Sequence, residues 1–401
     1  MPGPLAGVRV IDMTTVVMGP FATQILADLG ADVIKVETRE GDNMRHVGPF
    51  RNPGMGHIYL HAGRGKRSIV LDLKAPEGRA ALLRLAAGAD VLVYNVRPQA
   101  MARLGLSYDE VRAANERIVY VGAYGYGQRG PYAAKPAYDD LIQGAGGIPA
   151  LFRAQGNPTP RYAPVTLADR LTGLHVVYAV CAALFHRERT GRGQSVEVPM
   201  FEAVVQFVLG DHLGGETFDP PLGTPGYARL LAEHRRPYAT KDGHVCVLIY
   251  NDKQWKSFFA AIGEPERMER DARFATHSNR AAHIAEVYAY VAQVMATRTT
   301  AEWLALFEAA DIPAAPMNSV GDLLAHPHLE AVGFFRWEDH PTEGRIRRMA
   351  VPTSWSDSQP EPGRPAPRLG EDSRAVLREA GYSEAEIDAL MAKGVSAEPG
   401  G

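Results

Sequence analysis

The first forty residues alternate between strand and helix patterns, and this alternation leaves few folds open. A β-branched run at 8–12 is followed by apolar residues at helical spacing between 21 and 29, and a second β-branched run follows at 32–37. A strand, a helix and a strand in this order form a βαβ unit, whose two strands are parallel because the helix returns the chain to the same end of the sheet. The sequence therefore predicts a parallel sheet with helices on its faces.

The same alternation continues to residue 121. Further strands are predicted at 68–73, 91–94 and 118–121, and a helix is predicted at 76–87. The simplest arrangement of such a repeat is a doubly wound α/β sheet, in which ligands bind beyond the carboxyl ends of the strands. Residues that follow these strands are therefore the first candidates for a binding site.

The length of the chain, 401 residues, favours two domains. Residues 220–226 are rich in Pro and Gly, and the pattern after them predicts two strands around an Asp-Gly turn and several amphipathic helices. The Pro-rich stretch 354–368 indicates an extended crossing segment. We predict a large α/β domain at 1–219, a small α+β domain with its linker at 220–325, and a return segment at 326–401 that completes the large domain.

Charge and hydropathy argue against two classes of partner. With 43 Lys and Arg against 46 Asp and Glu, the net charge is -3, so no general field attracts nucleic acid or an anionic membrane. The N-terminus has no basic segment followed by an apolar stretch. The most apolar helix candidate, 171–185, is shorter than the ~20 residues that cross a bilayer. We predict a cytoplasmic protein that binds neither nucleic acid nor membrane.

Nucleotide and metal motifs are absent where they would be expected. Residues 13–20, after the first strand, lack the three glycines of a dinucleotide-binding turn, and the Gly-Lys pair at 65–66 lacks the spacing of a phosphate loop. His326 and His328 have no third ligand at a regular offset. We expect no NAD, no ATP and no metal.

Asp169 is the charged residue that stands out in otherwise apolar sequence. It falls in the first turn of the predicted apolar helix. The positive end of the helix would keep a carboxylate at this place ionised. The pattern alone favours a helix cap over a catalytic role.

Several short segments, taken together in their order and spacing, resemble CoA-transferase family III. This is the CaiB/BaiF family, to which formyl-CoA transferase and carnitine CoA-transferase belong. The segments are 5–12, 30–37, 65–68, 71–74, 126–131, Asp169 with Gly173, 190–194, 312–316 and 369–371. The resemblance implies a large Rossmann-like parallel-sheet domain built from both chain ends, a small α+β domain, and two chains interlocked as a homodimer with a site between unlike domains of the two chains.

The resemblance also implies a nucleophile and a reaction. In this family an aspartate at the place of Asp169 attacks the acyl carbon of an acyl-CoA. The implied activity moves CoA from a donor, which we expect to be succinyl-CoA, to a carboxylic acid through an aspartyl mixed anhydride and an aspartyl-CoA thioester. A carboxylate suits this chemistry because it is both a nucleophile and a leaving group. CoA and acyl-CoA are then substrates, and small carboxylic acids are the other partners.

CoA-binding residues are implied in the same way. They are Val16, Val17, Met18, Arg39, Leu71, Asp72, Leu73, Lys74, Asn95, Val96, Arg97, Arg103, Lys135 and Tyr138. Two positions depart from the family pattern, since Thr38 and Pro136 stand where basic residues are found in some members. Arg39 and Lys135 are their neighbours and take their place in this prediction.

A dicarboxylic acid is the substrate we expect. Five side chains could supply a cation for its distal carboxylate: Arg45, His46, His212, Arg235 and Arg236. The phosphates of CoA and the solvent are equally good partners for these cations, so the pattern leaves both roles open.

The sequence leaves two other functions open. Some relatives are α-methylacyl-CoA racemases, which use a histidine immediately before an aspartate as a base. Here Tyr138 precedes Asp139, and a tyrosine with a pKa near ~10 is a poor base at neutral pH. A non-catalytic acyl-CoA-binding protein is the third possibility, and the presence of Asp169 argues against it.

Overall fold

In the computed structural model, which describes residues 3–400, the chain divides into two compact units. The first unit comprises residues up to 146, residues 163–206 and residues from 328 onward, and the second comprises 147–162 and 207–327. The first unit thus takes its chain from both ends of the sequence. The domain boundaries placed above at 219/220 and 325/326 remain predictions.

Residues 3–400 contain three sheets. The first unit holds a six-stranded sheet of β1 (Arg9–Met13), β2 (Asp32–Glu37), β3 (Lys66–Val70), β4 (Val91–Tyr94), β5 (Val119–Tyr124) and β6 (Gln194–Pro199). The second unit holds a three-stranded sheet of β7 (Tyr238–Ala239), β8 (His244–Val247) and β9 (Ala314–Pro316). An antiparallel hairpin of β10 (Phe335–His340) and β11 (Gly344–Met349) belongs to the first unit.

The α-helices are numbered in chain order. They are α1 (Met18–Asp28), α2 (His57–Ala62), α3 (Pro76–Ala87), α4 (Pro98–Arg103), α5 (Tyr108–Ala114), α6 (Asp139–Ala145), α7 (Ile148–Ala154), α8 (Leu167–Thr190), α9 (Met200–His212), α10 (Ala228–Leu231), α11 (Asp252–Ala261), α12 (Arg267–Arg270), α13 (His277–Ala282), α14 (Ile284–Met295), α15 (Thr300–Ala309), α16 (Val320–Leu323), α17 (Pro327–Ala331), α18 (Ser373–Glu379) and α19 (Glu384–Ala392). Short 3₁₀ helices span Asn43–His46 and Gly214–Thr217.

The large sheet has the order β3-β2-β1-β4-β5-β6, and each neighbouring pair is parallel. The order reverses between β1 and β4, where Val10 pairs with Val33 on one side and Val91 on the other. Val10, Ile11, Val91 and Leu92 are fully buried, as expected of parallel strands covered on both faces. The predicted α/β class is confirmed, and the reversal creates a crevice at the carboxyl ends of β1 and β4.

Most of the predicted elements of the large sheet are confirmed. β2, α3 and β4 have the predicted bounds, whereas β3 spans Lys66–Val70 rather than 68–73. The difference arises because Lys66 already pairs with Val33, although a lysine in a buried strand gives no strand signal. β6 and the β10–β11 hairpin were missed; both are only partly buried and carry many polar residues.

Helix α8 is longer than predicted. It runs over 24 residues from Leu167 to Thr190 and ends at Gly191, which adopts the left-handed conformation. The predicted span 171–185 was therefore too short at both ends. By length and composition, α8 is the one helix within residues 3–400 that could cross a membrane. In the fold it packs against α1, α6, β5 and β6, and 39% of its most apolar stretch is buried.

The C-terminal helices contribute to the core of the first unit. Val376, Leu377 and Ile387 are fully buried in the same apolar cluster as Ile34 and Ile69 of the sheet. The Pro-rich stretch 354–368 has neither helix nor strand, as predicted. The C-terminal chain thus completes the core that the N-terminal strands begin.

The second unit has an aromatic core of its own. Trp255, Phe258, Phe259, Phe274 and Trp303 are all buried within it. The predicted hairpin around the Asp-Gly turn is confirmed as β7 and β8. Thr299 and Glu302 form a capping box at the start of α15.

Candidate active site

The loops after β1 and β4 meet at the crevice of the large sheet. The Asn95 side chain accepts a hydrogen bond from the Thr15 N–H at 3.0 Å and donates one to the Thr15 carbonyl at 2.7 Å. This pair of bonds joins the predicted CoA-binding segments 16–18 and 95–97. The structure therefore brings these two segments together at the point where ligands of doubly wound sheets bind.

Val16 has an unusual backbone conformation within this crevice. Its φ is 71°, which is left-handed and unfavourable for a β-branched residue. The Val16 N–H donates to Asp42 Oδ1 at 3.1 Å, and the buried Lys35 ammonium bonds both Asp42 and the carbonyl of Thr14. A buried ion pair thus holds the strained loop, a pattern typical of functional sites. Val17 and Met18 follow as buried residues at the start of α1.

A separate group of predicted CoA-binding residues lines a cavity of 540 Å³. Leu73 and Lys74 lie on one side and Arg103 on another. The cavity also contains Arg79, which our sequence reasoning missed although it lies one turn into a helix that follows a strand. Three cations around one cavity suit a phosphate group.

The remaining CoA-binding candidates do not share one cavity or one set of contacts. Arg97 donates to the carbonyl of Ala134 at 3.2 Å, which brings the segment around Lys135 next to the crevice loops. Tyr138 is 66% exposed and Lys135 lies over the ring of Tyr132, 3.5 Å from its centre. Arg39 instead bonds the carbonyl of Gly394 at 3.0 Å.

Two further predicted positions, Leu71 and Asp72, differ in their surroundings. Leu71 is buried in the core of the first unit, whereas Asp72 is exposed and accepts the N–H of Lys74 at 3.0 Å. Val96 is exposed, beside Arg97 in the loop after β4. Leu71 is thus the one of these three whose side chain is packed inside the protein.

Asp169 lies in the first turn of α8, and that turn is held close to the crevice by a glycine. A side-chain carbon added at Gly173 would lie 2.9 Å from both the Met18 carbonyl and the Phe21 ring. Only a glycine therefore allows α8 to approach α1 this closely. As a result, Asp169 lies one helical turn from the contact that α8 makes with the start of α1.

Asp169 is a largely buried residue whose carboxylate has no hydrogen-bond partner within residues 3–400. The residue is 9% exposed. Burial raises the pKa of Asp169 to about 7, with a further increase from the neighbouring Asp139 carboxylate that Arg170 only partly offsets. Burial and Asp139 therefore act against the effect expected of the helix end, which favours the ionised carboxylate.

Comparison with known proteins agrees with this geometry. Residues 5–373 match CoA-transferase family III. The chain belongs to this family. It is 35% identical over 389 residues to succinate–glutarate CoA-transferase of Agrobacterium fabrum, covering 94% of this chain and 95% of that one.

Two further matches extend over nearly the whole chain. Formyl-CoA:oxalate CoA-transferase of Escherichia coli O6:H1 is 31% identical, covering 97% of this chain and 99% of that one. The crystal structure of a CaiB/BaiF family protein from Brucella suis has 32% identity and a TM-score of 0.79, covering 95% of this chain and 100% of that one. The protein is thus a family III CoA-transferase, as the resemblance implied.

Among the predicted substrate cations of this transferase, Arg45 has its charge already neutralised. Its buried guanidinium bonds Glu37 at 2.7 Å, the Tyr59 hydroxyl at 2.7 Å and the Pro367 carbonyl at 3.2 Å. His46 is exposed and its ring faces the carbonyl of Glu40 at 3.0 Å. We therefore no longer count Arg45 among the cations open to a substrate.

The other predicted cations belong to the second unit of the transferase. Arg235 and Arg236 line a cavity of 340 Å³ together with Arg229, which was not predicted. No carboxylate within residues 3–400 forms an ion pair with any of these three arginines. His212 is buried, and its ring accepts the N–H of Tyr227 at 3.2 Å. The unpaired arginines make this cavity suitable for a small anion.

Proposed function

We propose that this enzyme transfers CoA from succinyl-CoA to a small carboxylic acid, with Asp169 as the nucleophile. The observation that carries the proposal is the carboxylate of the largely buried Asp169, which has no hydrogen-bond donor within residues 3–400. A carboxylate that is poorly solvated is more reactive toward an acyl carbon than one stabilised by water or by donors. Its helix packs through Gly173 against the start of α1, beside the crevice expected to bind the acyl-CoA.

The reaction proceeds in two matched halves. The Asp169 carboxylate attacks the acyl carbon of the donor, the carbon–sulfur bond breaks, and a mixed anhydride and CoA thiolate result. The thiolate then attacks the Asp169 carbonyl carbon, which releases the donor acid and leaves an aspartyl-CoA thioester. The acceptor carboxylate attacks that thioester, and the released thiolate takes the acceptor acyl group from the second anhydride. Asp169 returns as a carboxylate, so no proton is gained or lost overall.

Dicarboxylic acids are the proposed substrates. The relative from Agrobacterium fabrum is named for succinate and glutarate, which both carry a second carboxylate. Arg235 and Arg236, with Arg229, offer unpaired cations for such a group. In a screen of acceptor acids, replacing Arg236 by Gln should lower the use of dicarboxylic acids more than that of monocarboxylic acids. An equal loss for both classes would argue against this assignment.

A homodimer is the proposed assembly, as the family resemblance implies. Helix α8 supports it, because Leu174, Tyr178 and Phe185 on this helix are 51%, 60% and 63% exposed. Apolar side chains exposed together on one helix are typical of a protein–protein interface. Sedimentation of the purified protein as a folded monomer would contradict this part of the proposal.

Trapping the acylated aspartate tests the central step. Hydroxylamine added during turnover with succinyl-CoA should convert the Asp169 anhydride or thioester into a hydroxamate, which peptide mass spectrometry locates. The Asp169→Asn variant, which keeps the size of the side chain, should form no hydroxamate and transfer CoA about a thousandfold more slowly. Unchanged transfer by this variant would refute the proposed nucleophile.

A further inference from the structure

A second carboxylate, Asp139, holds the backbone of the proposed nucleophile. The first N–H groups of a helix have no partners within the helix, and the side chain of the residue before α8 makes no capping bond. Asp139, at the start of α6, supplies the missing acceptor: its Oδ1 accepts the Asp169 N–H at 3.0 Å. The position of the nucleophile in space is therefore determined by a different helix.

The Asp139 carboxylate is itself held by Gln143 on the same helix. The Gln143 amide is fully buried and donates to Asp139 Oδ2 at 2.7 Å. Its oxygen accepts the Ala163 N–H at 2.9 Å, and its nitrogen also faces the Val165 carbonyl at 3.3 Å. Gln143 thus ties the carboxylate to the chain that enters α8, and a buried amide with all its groups bonded is rigid.

The charges around Asp169 are few. Asp139 of α6 and Arg170 of α8 are the charged groups that act on it. The side of α1 that meets this part of α8 contributes Met18 and Phe21, which do not titrate. On β6, which also packs against α8, the carboxylate of Glu197 faces the Gln128 N–H at 2.6 Å. Asp139 is therefore the main negatively charged group beside the carboxylate of Asp169.

We propose that Asp139 and Gln143 are positioning residues, which hold the Asp169 backbone and keep a fixed negative charge beside its carboxylate so that the carboxylate is more nucleophilic. The inference rests on the proposed role of Asp169. A like charge close to Asp169 disfavours the ionised ground state of its carboxylate. When Asp169 attacks an acyl carbon, its charge passes to the departing thiolate, and this repulsion is relieved. The repulsion therefore lowers the barrier to acylation.

A plain capping role would give Asp139 the same hydrogen bond without an effect on reactivity. The two roles differ in the pH dependence of acylation. A cap changes how much protein is folded, whereas a fixed charge changes the pH at which Asp169 becomes a nucleophile. The rate of Asp169 hydroxamate formation, measured from about pH 5 to about pH 9, separates them.

The test compares Asp139→Asn with Asp140→Asn. Asp140 is a matched control because it is an exposed carboxylate in the same first turn of α6. In Asp139→Asn, acylation by succinyl-CoA at high pH should be about tenfold slower, with the pH midpoint below that of the wild-type protein. The KM for succinyl-CoA should change less than twofold or so. Asp140→Asn should match the wild type in rate and midpoint.

Each outcome has a separate meaning. A wild-type rate and midpoint in Asp139→Asn would overturn the inference while leaving the nucleophile intact. The absence of a hydroxamate at Asp169 in the wild-type protein would instead refute the proposed function. If Asp139→Asn does not fold, Asp139→Glu replaces it: this variant keeps the charge but moves the acceptor, so acylation should slow with an unchanged midpoint. A wild-type rate in folded Asp139→Glu would also overturn the inference.

Discussion

Two buried carboxylates in the first unit have opposite surroundings. Asp12, on β1, is fully buried and accepts bonds from the Lys66 ammonium at 2.9 Å and from the Thr23 hydroxyl at 2.7 Å. Asp169 is also buried, yet no donor within residues 3–400 bonds its carboxylate. The same chemical group is therefore neutralised at one place and left without a partner at the other.

The pKa values follow the surroundings. Burial alone would raise the pKa of Asp12, but Lys66 and Lys35 outweigh it and hold the pKa well below its usual range. The pKa of Glu37 is lowered to about 2 for the same reason, with Arg45 as the partner. At Asp169 nothing outweighs burial, and the pKa rises to about 7.

The comparison separates structural charges from reactive ones. The network around Asp12, Lys35 and Asp42 holds the strained loop at Val16, so its charges serve to maintain the shape of the crevice. A shifted pKa occurs in both kinds of site, but only the uncompensated carboxylate has lone pairs free for a substrate. The hydrogen-bond partners, rather than the pKa shift, distinguish the two roles: burial also raises the pKa of Asp28, although Arg64 and Gln24 bond its carboxylate.

Removing the cation that pairs with the buried Asp12 carboxylate should have the largest effect on the free energy of unfolding. Lys66→Met leaves the Asp12 carboxylate without its closest cation in the core, and the free energy of unfolding should fall by about 3–5 kcal/mol. Lys393→Met, which removes an exposed ion pair with Glu77, should leave the free energy of unfolding almost unchanged, because solvent screens this pair. Urea titration of both variants measures these changes in the free energy of unfolding. Equally small decreases in the two variants would mean that the buried pair stabilises the protein no more than the exposed pair does.

Removing the charge of Asp169, which has no partner, should stabilise the protein. The pKa of Asp169 is about 7 in the folded protein, against an ordinary value of 3.8 for an aspartate, so folding favours proton binding between pH 3.8 and pH 7. Its contribution to stability is present below about pH 4 and is lost as the pH rises to about 7. Asp169→Asn should therefore gain up to about 4 kcal/mol at pH 8 and almost nothing at pH 4.

Thermal unfolding of Asp169→Asn at both pH values measures this gain, and Asp140→Asn is the control. A gain that is equal at the two pH values would show that the effect is not electrostatic. A loss at pH 8 would mean that the wild-type carboxylate has a partner, which contradicts the comparison.

The smallest expected effect is the pH dependence of the wild-type enzyme. Because only ionised Asp169 is a nucleophile, the rate of its acylation by succinyl-CoA should rise with pH and level off above a midpoint near 7. Below the midpoint the rate should fall about tenfold for each pH unit. A midpoint near 4, the ordinary value for an aspartate, would place Asp169 with the compensated carboxylates.

Much of the first sheet could be predicted from the sequence because its signal is local. β2, α3 and β4 follow from apolar periodicity and from the residues that end each element. β6 could not be predicted, since its exposed positions carry polar residues and only pairing with β5 makes it a strand. Lys66 was missed as the start of β3, because the partner that makes a buried lysine tolerable lies 54 residues earlier in the chain.

Some residues of the candidate site were likewise identified from the sequence, and others only from the structure. Asp169 and the crevice segments were identified by resemblance, and Arg79, Arg229, Asp139 and Gln143 were not assigned any role. The contacts that give Asp139 and Gln143 their roles reach 30 and 20 residues along the chain, to Asp169 and Ala163. Arg45 was misjudged because only the folded chain shows its pairing with Glu37 and its bond to the Pro367 carbonyl.

By itself, the sequence determined the α/β alternation, the helix that carries Asp169 and the glycine that lets this helix approach its neighbour. These features depend on the intrinsic preferences of nearby residues, which act whatever the rest of the chain does. Only the tertiary structure decided which buried charges are paired and which are not. Solvation and charge pairing depend on every atom within a few ångströms, and folding brings most of those atoms from far along the chain.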